Sequence, residues 1–322
     1  MCRQHRLLVA AFTLLLGSAS ADAERTLTLA TLNCEFLTRP RVHVKFGEPF
    51  DLSPQQKQVW DQPGYRDQKF SEAARAVAAF ICKINADVIG LQEVGDERDV
   101  KELLEEVRRA GLEYPFYEVG GPVEERTAQN TAIFSRFELR DPLSPLPGQE
   151  AYDTELDDPE AEEWTSVRKG LRVTLTAYGH TLHTYVLHLT SERGGHEADA
   201  QRIAEASIVR RHYLPALTGG EHVVVMGDLN DRPNDPAIRR IRGRDDIYPD
   251  LIQTGHYRYF ESDELDSRWT YNFRGQREQI DHILLSESIE PLCRRIRART
   301  MDPGSALVSD HRAFIVELRL RD

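Results

Sequence analysis

Five strand-like runs, scattered between residues 26 and 286, each set a polar or ionisable side chain in line with bulky apolar ones. Strand side chains alternate between two faces, so TLTLATLN puts Leu27, Leu29, Thr31 and Asn33 on one face. In DVIGLQEV one face carries Ile89, Leu91 and Glu93. HTYVLHLTS aligns Val186 with His188 and sends Tyr185, Leu187 and Leu189 the other way. VVVMGDLN aligns Val224, Met226, Asp228 and, where the extended path continues, Asn230, while QIDHILLS aligns Asp281 with Ile283 and Leu285. The chain must therefore bury several strands whose ends carry groups that water would normally solvate.

Helical periodicity separates some of these strands. Phe70, Ala73, Ala74, Val77, Ala78, Ile81 and Ile84 recur at helical spacing, and VKELLEEVRRAG reads as a second helix stopped by Gly111. A third helix, from about Glu197 to Leu214, has Ile203, Ala204, Ala206, Ile208 and Val209 as its apolar stripe. GLRVTLTAYGHTLHTYVLHL reads as an antiparallel hairpin around Gly179. This mixture predicts an α/β fold of two mostly antiparallel or mixed sheets packed face to face, with helices outside. The acidic run DTELDDPEAEEW reads as a solvated surface loop, since clustered like charges prefer water. Pro and aromatic residues between Phe36 and Tyr65 mark a long insertion.

No linker, repeat or low-complexity tract divides the 322 residues, so a single domain is expected over residues 24–322. The formal net charge of -12 argues against a broad basic face that grips nucleic acid without a metal. A metal-assisted nuclease stays open, because bound divalent cations supply local positive charge. Arg3, His5 and Arg6 precede the apolar run Leu7–Leu16, and small residues follow at Ala19, Ala21 and Ala23. Residues 1–23 thus read as a secretory signal peptide, the run Leu7–Leu16 being too short to span a bilayer comfortably, and a secreted or periplasmic location is expected. Its removal would take Cys2 away; Cys34, Cys82 and Cys293 are spaced too widely for a disulfide framework or a zinc pattern.

A single carboxylate at a strand end is usually a turn former or helix cap, and Asp235 before Pro236 fits that role. The balance changes because Asn33, Glu93, Asp228, Asn230, Asp281 and Asp310 all lie at the ends of apolar runs. Burying so many carboxylates without cations costs several kcal/mol per ion, and the neighbouring sequence has too few Arg or Lys to pair them. A hard divalent cation bound through oxygen resolves the conflict.

The ordered motifs TLNCEF, IGLQEV, NTAIFSR, VLHLTS, MGDLND, QIDHILLS and SDHRA resemble the endonuclease/exonuclease/phosphatase superfamily, which includes pancreatic deoxyribonuclease, abasic-site endonucleases, neutral sphingomyelinases and inositol polyphosphate phosphatases. The resemblance spans residues 26–320. It implies a four-layered α/β sandwich, two central sheets flanked by helices, with the site at one end. It further implies that Glu93 and Asp310 bind the metal with Asn33 beside them, and that His311 is the general base oriented by Asp281. His188 would contact phosphate and help the leaving oxygen depart, Asn230 would bind a phosphoryl oxygen, and Asp228 would orient the nucleophile or protonate the leaving group. Asn130 and Arg168, with Lys169 as the rival of Arg168, are further phosphate contacts by the same resemblance.

Magnesium is the expected ion, with manganese or calcium as substitutes. The expected activity is a phosphodiesterase, nucleic acid being the first substrate. The alternatives are a phospholipase C-like enzyme acting on a phospholipid head group, a phosphomonoesterase, or a non-catalytic binding module. A DNA substrate calls for basic side chains around the cleft, for which Arg39, Arg41, Lys45, Arg193 and Arg277 are candidates. Two departures bear on substrate identity: Thr190 stands where many relatives have lysine, and the insertion before Phe70 is long.

Overall fold

The computed structural model describes residues 25–153, 162–243 and 251–321. The expected signal peptide and most of the acidic run therefore lie outside the described residues. The first sheet is built from β1 (Thr26–Leu37), β2 (Val88–Val94), β3 (Phe116–Val119), β4 (Asn130–Ser135), and two C-terminal strands introduced below. After β5 (Leu139–Leu143) and the small hairpin of β6 (Glu150–Asp153) and β7 (Glu162–Thr165) come β8 (Gly170–Ala177), β9 (His180–His188), β10 (His222–Asp228) and β11 (Leu251–Gln253). A short hairpin of β12 (Tyr271–Phe273) and β13 (Gln276–Glu278) precedes β14 (Asp281–Ser286), and β15 (Cys293–Met301) and β16 (Ala313–Leu320) complete the chain. The helices are α1 (Pro54–Trp60), α2 (Tyr65–Ile84), α3 (Glu97–Arg109), α4 (His196–Thr218) and α5 (Pro236–Arg242).

The first sheet has the order β15-β16-β1-β2-β4-β3 and the second β11-β14-β10-β9-β8-β5. Each is antiparallel except for one central parallel pair, β1 with β2 and β10 with β9. Period-two alternation then sorts the apolar residues into three layers of core. Leu27 and Leu29 of β1 meet Val186 of β9, Val224 and Met226 of β10, and Ile283 of β14 between the sheets. Ala30 and Leu32 face outward onto Phe70 and Ile81 of α2 and Leu103 of α3. Val223 and Val225 face outward onto Ile208 and Val209 of α4 and Ile238 of α5. Helix, sheet, sheet and helix make the four-layered α/β sandwich.

Local chemistry explains the joints. Tyr178 and Gly179 both have positive φ, 50° and 89°, which is the twist a two-residue hairpin needs between β8 and β9. The inner face of β2 carries Gly90 because a Cβ there would meet the Met226 sulfur at 2.9 Å and Val186 at 3.1 Å, so the sheets could not approach as closely. In the insertion, Ser53 and Gln56 form a capping box on α1, and Trp60 packs edge-on against His43 and Tyr65. Asp235 sits at the start of α5 as expected, but the Ala237 amide is capped by Asp231 at 2.9 Å instead. Cys34, Cys82 and Cys293 are unpaired, and among the described residues no helix is long and apolar enough to cross a membrane.

Candidate active site

Asn33, His188, Asp228 and Asp281 continue the inner faces of β1, β9, β10 and β14, so all four enter the gap between the sheets at one end of the sandwich. The Asp281 side chain is completely buried and accepts the Nδ1 proton of His311 at 2.8 Å. His311 lies just before β16, where its backbone bridges Tyr271 and its ring stacks on the Tyr271 ring at 4.7 Å. Its Nε2 points back to the cleft, 4.0 Å from Asp228 and 3.9 Å from Asp310. A turn precedes β16: Ser309 accepts the His311 amide at 2.9 Å and donates to the Asn33 carbonyl at 2.6 Å, which lets adjacent Asp310 and His311 face one site.

Glu93 arrives by a different route from the one its spacing suggests. Ile89 and Leu91 face the helices, so a regular strand would send Glu93 outward with them. A bulge in β2 and a φ of 57° at Glu93 turn its carboxylate inward, where it accepts from Asn33 at 3.2 Å and from the Phe36 amide at 2.9 Å. The extended path of β10 likewise ends at Asp228. Asn230 has φ 51°, its amide nitrogen donates to the Leu189 carbonyl at 3.0 Å, and its backbone N–H donates to Asp228 at 3.1 Å. Asn230 thus leaves the extended path in a left-handed turn beside Asp228, with its side chain held on the Leu189 carbonyl.

Two expected phosphate contacts do not join this group. The Asn130 amide nitrogen donates to the carbonyls of Gly120 and Gly121 and its oxygen accepts from the Thr131 backbone, so it braces a loop. Arg168 is exposed, whereas the neighbouring Lys169 is half-buried and electrostatically coupled to Glu93, Asp228 and Glu205. Of the basic candidates around the cleft, Arg39 is tied to Asp67, Asp99 and Glu102, and Lys45 is buried. Thr190, in the place of the relatives' lysine, donates twice to the buried Glu205 carboxylate.

Several groups here carry no sequence signal that spacing could reveal. The Glu35 residue, with φ 43°, turns beside Asp310 and Glu93, and burial followed by the Asp310 charge raises its carboxyl to about 7. The Lys45 ammonium, delivered by the insertion, donates to the carbonyls of Cys34 at 2.8 Å and of Glu35 and Val308 at 3.0 Å each, and lies 3.8 Å from the Glu35 carboxylate. It therefore clamps the end of β1 to the loop that carries Asp310.

The electrostatics are those of an over-acidic cleft. Burial, then the nearby Asp281 charge, raises Asp228 to about 7. Burial disfavours a charged His311, but Asp281, Asp228 and Asp310 outweigh it and lift its pKa well above the ordinary imidazole value. Burial, helped by Lys169 and His311, holds His188 neutral, with Nε2 3.8 Å from both Glu93 and Asp228. One oxygen of Glu35 and one of Asp281 are buried without a hydrogen-bond partner. An oxygen-rich set with unmatched carboxylate charge suits a hard divalent cation. Asp228, Asp281 and His311 each offer a ligand atom within 4.8 Å of the others, although Asp281 and His311 already share a proton. A second acidic group of Glu192, Asp231 and Asp235 is crossed by Arg202 and Arg232, which partly neutralise it.

The sequence profile of the Endonuclease/Exonuclease/phosphatase family matches residues 30–311, and the chain belongs to that family. No curated protein matches it in sequence. Among solved structures, truncated TDP2 from Caenorhabditis elegans is 16% identical, with a TM-score of 0.55 over 91% of this chain and 98% of that one. An endonuclease/exonuclease/phosphatase family protein from Bacteroides thetaiotaomicron is 16% identical, with a TM-score of 0.55 over 93% and 99% of the two chains. The beta toxin of Staphylococcus aureus is 13% identical, with a TM-score of 0.56 over 90% and 99%. At such identities the likeness is one of fold.

Proposed function

We propose that the chain is a divalent-cation-dependent phosphodiesterase, and that nucleic acid is its substrate. Family membership supports a phosphoesterase, and the hydrogen bond between Asp281 and His311 is the observation that carries the mechanism. With Nδ1–H held by Asp281, the imidazole in its neutral form has its lone pair on Nε2, facing the cleft beside Asp228 and Asp310. In this reading Nε2 takes a proton from a water that attacks phosphorus, and Asp281 stabilises the imidazolium that results.

Asn33, Asn230 and His188 are assigned to the phosphoryl oxygens. Asp228 is assigned to the leaving group: a carboxyl raised to about 7 can still carry a proton near neutral pH. Glu93, Asp310 and Asn33 would hold the cation, with Glu35 adjacent. Bound there, magnesium, or manganese or calcium in its place, would polarise a phosphoryl oxygen and offset the charge that builds in the transition state. The N-terminal segment adds a secreted or periplasmic setting to the proposal.

The experiment is a parallel assay of the purified protein against plasmid DNA, RNA, sphingomyelin and a chromogenic phosphodiester, with and without EDTA. EDTA-sensitive hydrolysis of a nucleic acid and of the chromogenic diester is expected. Hydrolysis of sphingomyelin alone would replace nucleic acid with a phospholipid head group, and no hydrolysis of any substrate would remove the enzymatic reading.

A further inference from the structure

The hairpin of β12 and β13 stands at the rim of the cleft and has no part in the chemistry above. Its aromatic residues are arranged in a row. The Tyr271 ring stacks on His311 at 4.7 Å, and Phe273, two residues on and therefore on the same strand face, lies near-parallel to Tyr271 at 6.5 Å with 17° between the planes. The row begins at the proposed base and ends at a ring that is 46% exposed. The Arg274 guanidinium lies 5.1 Å from the Phe273 ring centre, and Arg277 lies 5.0 Å from that of Trp269. Arg193 lies near Tyr271, where its charge opposes the rise that burial imposes on the phenol pKa.

In a chain of net charge -12, Arg39 is held by three carboxylates and Lys45 is buried on backbone carbonyls. Among the described residues, Arg193, Arg274 and Arg277 are exposed and have no ion pair. Aromatic faces interleaved with unpaired guanidinium groups are what an unpaired strand of nucleic acid needs: bases stack on rings and on Arg planes, while the backbone is met by positive charge. A lipid surface needs a contiguous apolar tip instead, and here the single exposed ring sits between Asn272 and Arg274.

Resting on the phosphodiesterase reading, we propose that this hairpin is a stacking platform. A base flanking the reacting phosphate lies on Phe273, with Arg274 and Arg277 on the adjoining phosphates, so the enzyme prefers single-stranded or unpaired nucleic acid.

The test uses the full chain and its Phe273→Ala and Phe273→Trp variants. Fluorescence anisotropy in EDTA at low salt measures binding of a single-stranded oligodeoxynucleotide and of the same oligomer with abasic residues. Phe273→Ala is expected to weaken binding of the base-containing oligomer about tenfold, Phe273→Trp to keep it, and the abasic oligomer to bind all three proteins equally. Equal affinity of wild type and Phe273→Ala for the base-containing oligomer, including no binding by either, would overturn the platform. So would Phe273-dependent binding to sphingomyelin–phosphatidylcholine vesicles with none to the oligomer. A separate arm follows EDTA-sensitive hydrolysis of methyl p-nitrophenyl phosphate, which Phe273→Ala is expected to leave unchanged. Absence of that hydrolysis in wild type would count against the phosphodiesterase reading, whereas the anisotropy judges the platform by itself.

Discussion

The Asn33 side chain of the first sheet donates to the Asp228 carboxylate of the second at 2.9 Å, and the same amide nitrogen reaches Glu93 at 3.2 Å. One neutral side chain thus spans the gap between the sheets and holds two carboxylates in fixed positions, while its oxygen accepts the Glu35 amide at 2.8 Å. Replacing it by Asn33→Ala leaves Asp228 buried without that donor. A stability loss of about 1–3 kcal/mol is expected in urea melts, together with loss of most phosphodiesterase activity. A variant with unchanged rate would show that this bridge is structural only.

Glu93 enters the cleft through a left-handed residue, and its position beside Glu35 and Asp310 makes sense for a cation. Magnesium or manganese is expected to raise the melting temperature of wild type relative to EDTA. The linkage is about 2.7 kcal/mol at a hundredfold excess over Kd. In Glu93→Gln the rise should vanish or shrink sharply, as read by differential scanning fluorimetry across a metal titration.

Lys45 is satisfied by three carbonyls and one carboxylate. In Lys45→Met those carbonyls lose their donor and Glu35 loses its buried counter-charge, so the metal-free protein should be destabilised by about 3 kcal/mol. Added divalent cation should return part of that loss, because it would meet the same carboxylates. Chemical denaturation with and without magnesium compares the two.

Buried His282 sits with Nε2 2.8 Å from the Asp231 carbonyl and Nδ1 3.0 Å from the Gln253 amide nitrogen, an arrangement that suits a neutral ring. Burial lowers its pKa to about 4. Between the ordinary imidazole value and that pKa the unfolded chain binds a proton that the folded one refuses, so stability falls as pH falls through this window. The contribution is roughly 3 kcal/mol. A His282→Gln variant should be less stable at pH 7 and show a flatter loss of stability between pH 6.5 and pH 4, measured by urea melts across that range.

Period-two spacing was enough to bring Asn33, His188, Asp228 and Asp281 to one end of the sandwich, because each continues a face that already packs between the sheets. It gave no account of how Glu93 and Asn230 get there, since a single left-handed residue reverses a side chain without leaving a compositional mark. Lys45 is legible in the sequence only as a basic side chain near the cleft, and Ser309 not at all, because both act on backbone groups of distant segments, 263 and 276 residues away in their longest contacts. Asn130 and Arg168 are a different case. Their motifs were legible, but one amide is spent on a loop and the other side chain points to solvent.

The most direct measurement is the initial rate of bis(p-nitrophenyl) phosphate hydrolysis by wild type and His311→Ala at saturating magnesium, with circular dichroism to establish that both are folded. A folded variant slowed by a factor on the order of 10²–10⁴ is the predicted result, the usual range for losing a general base. A folded His311→Ala that hydrolyses the diester at the wild-type rate would contradict the proposed role of the Asp281–His311 pair.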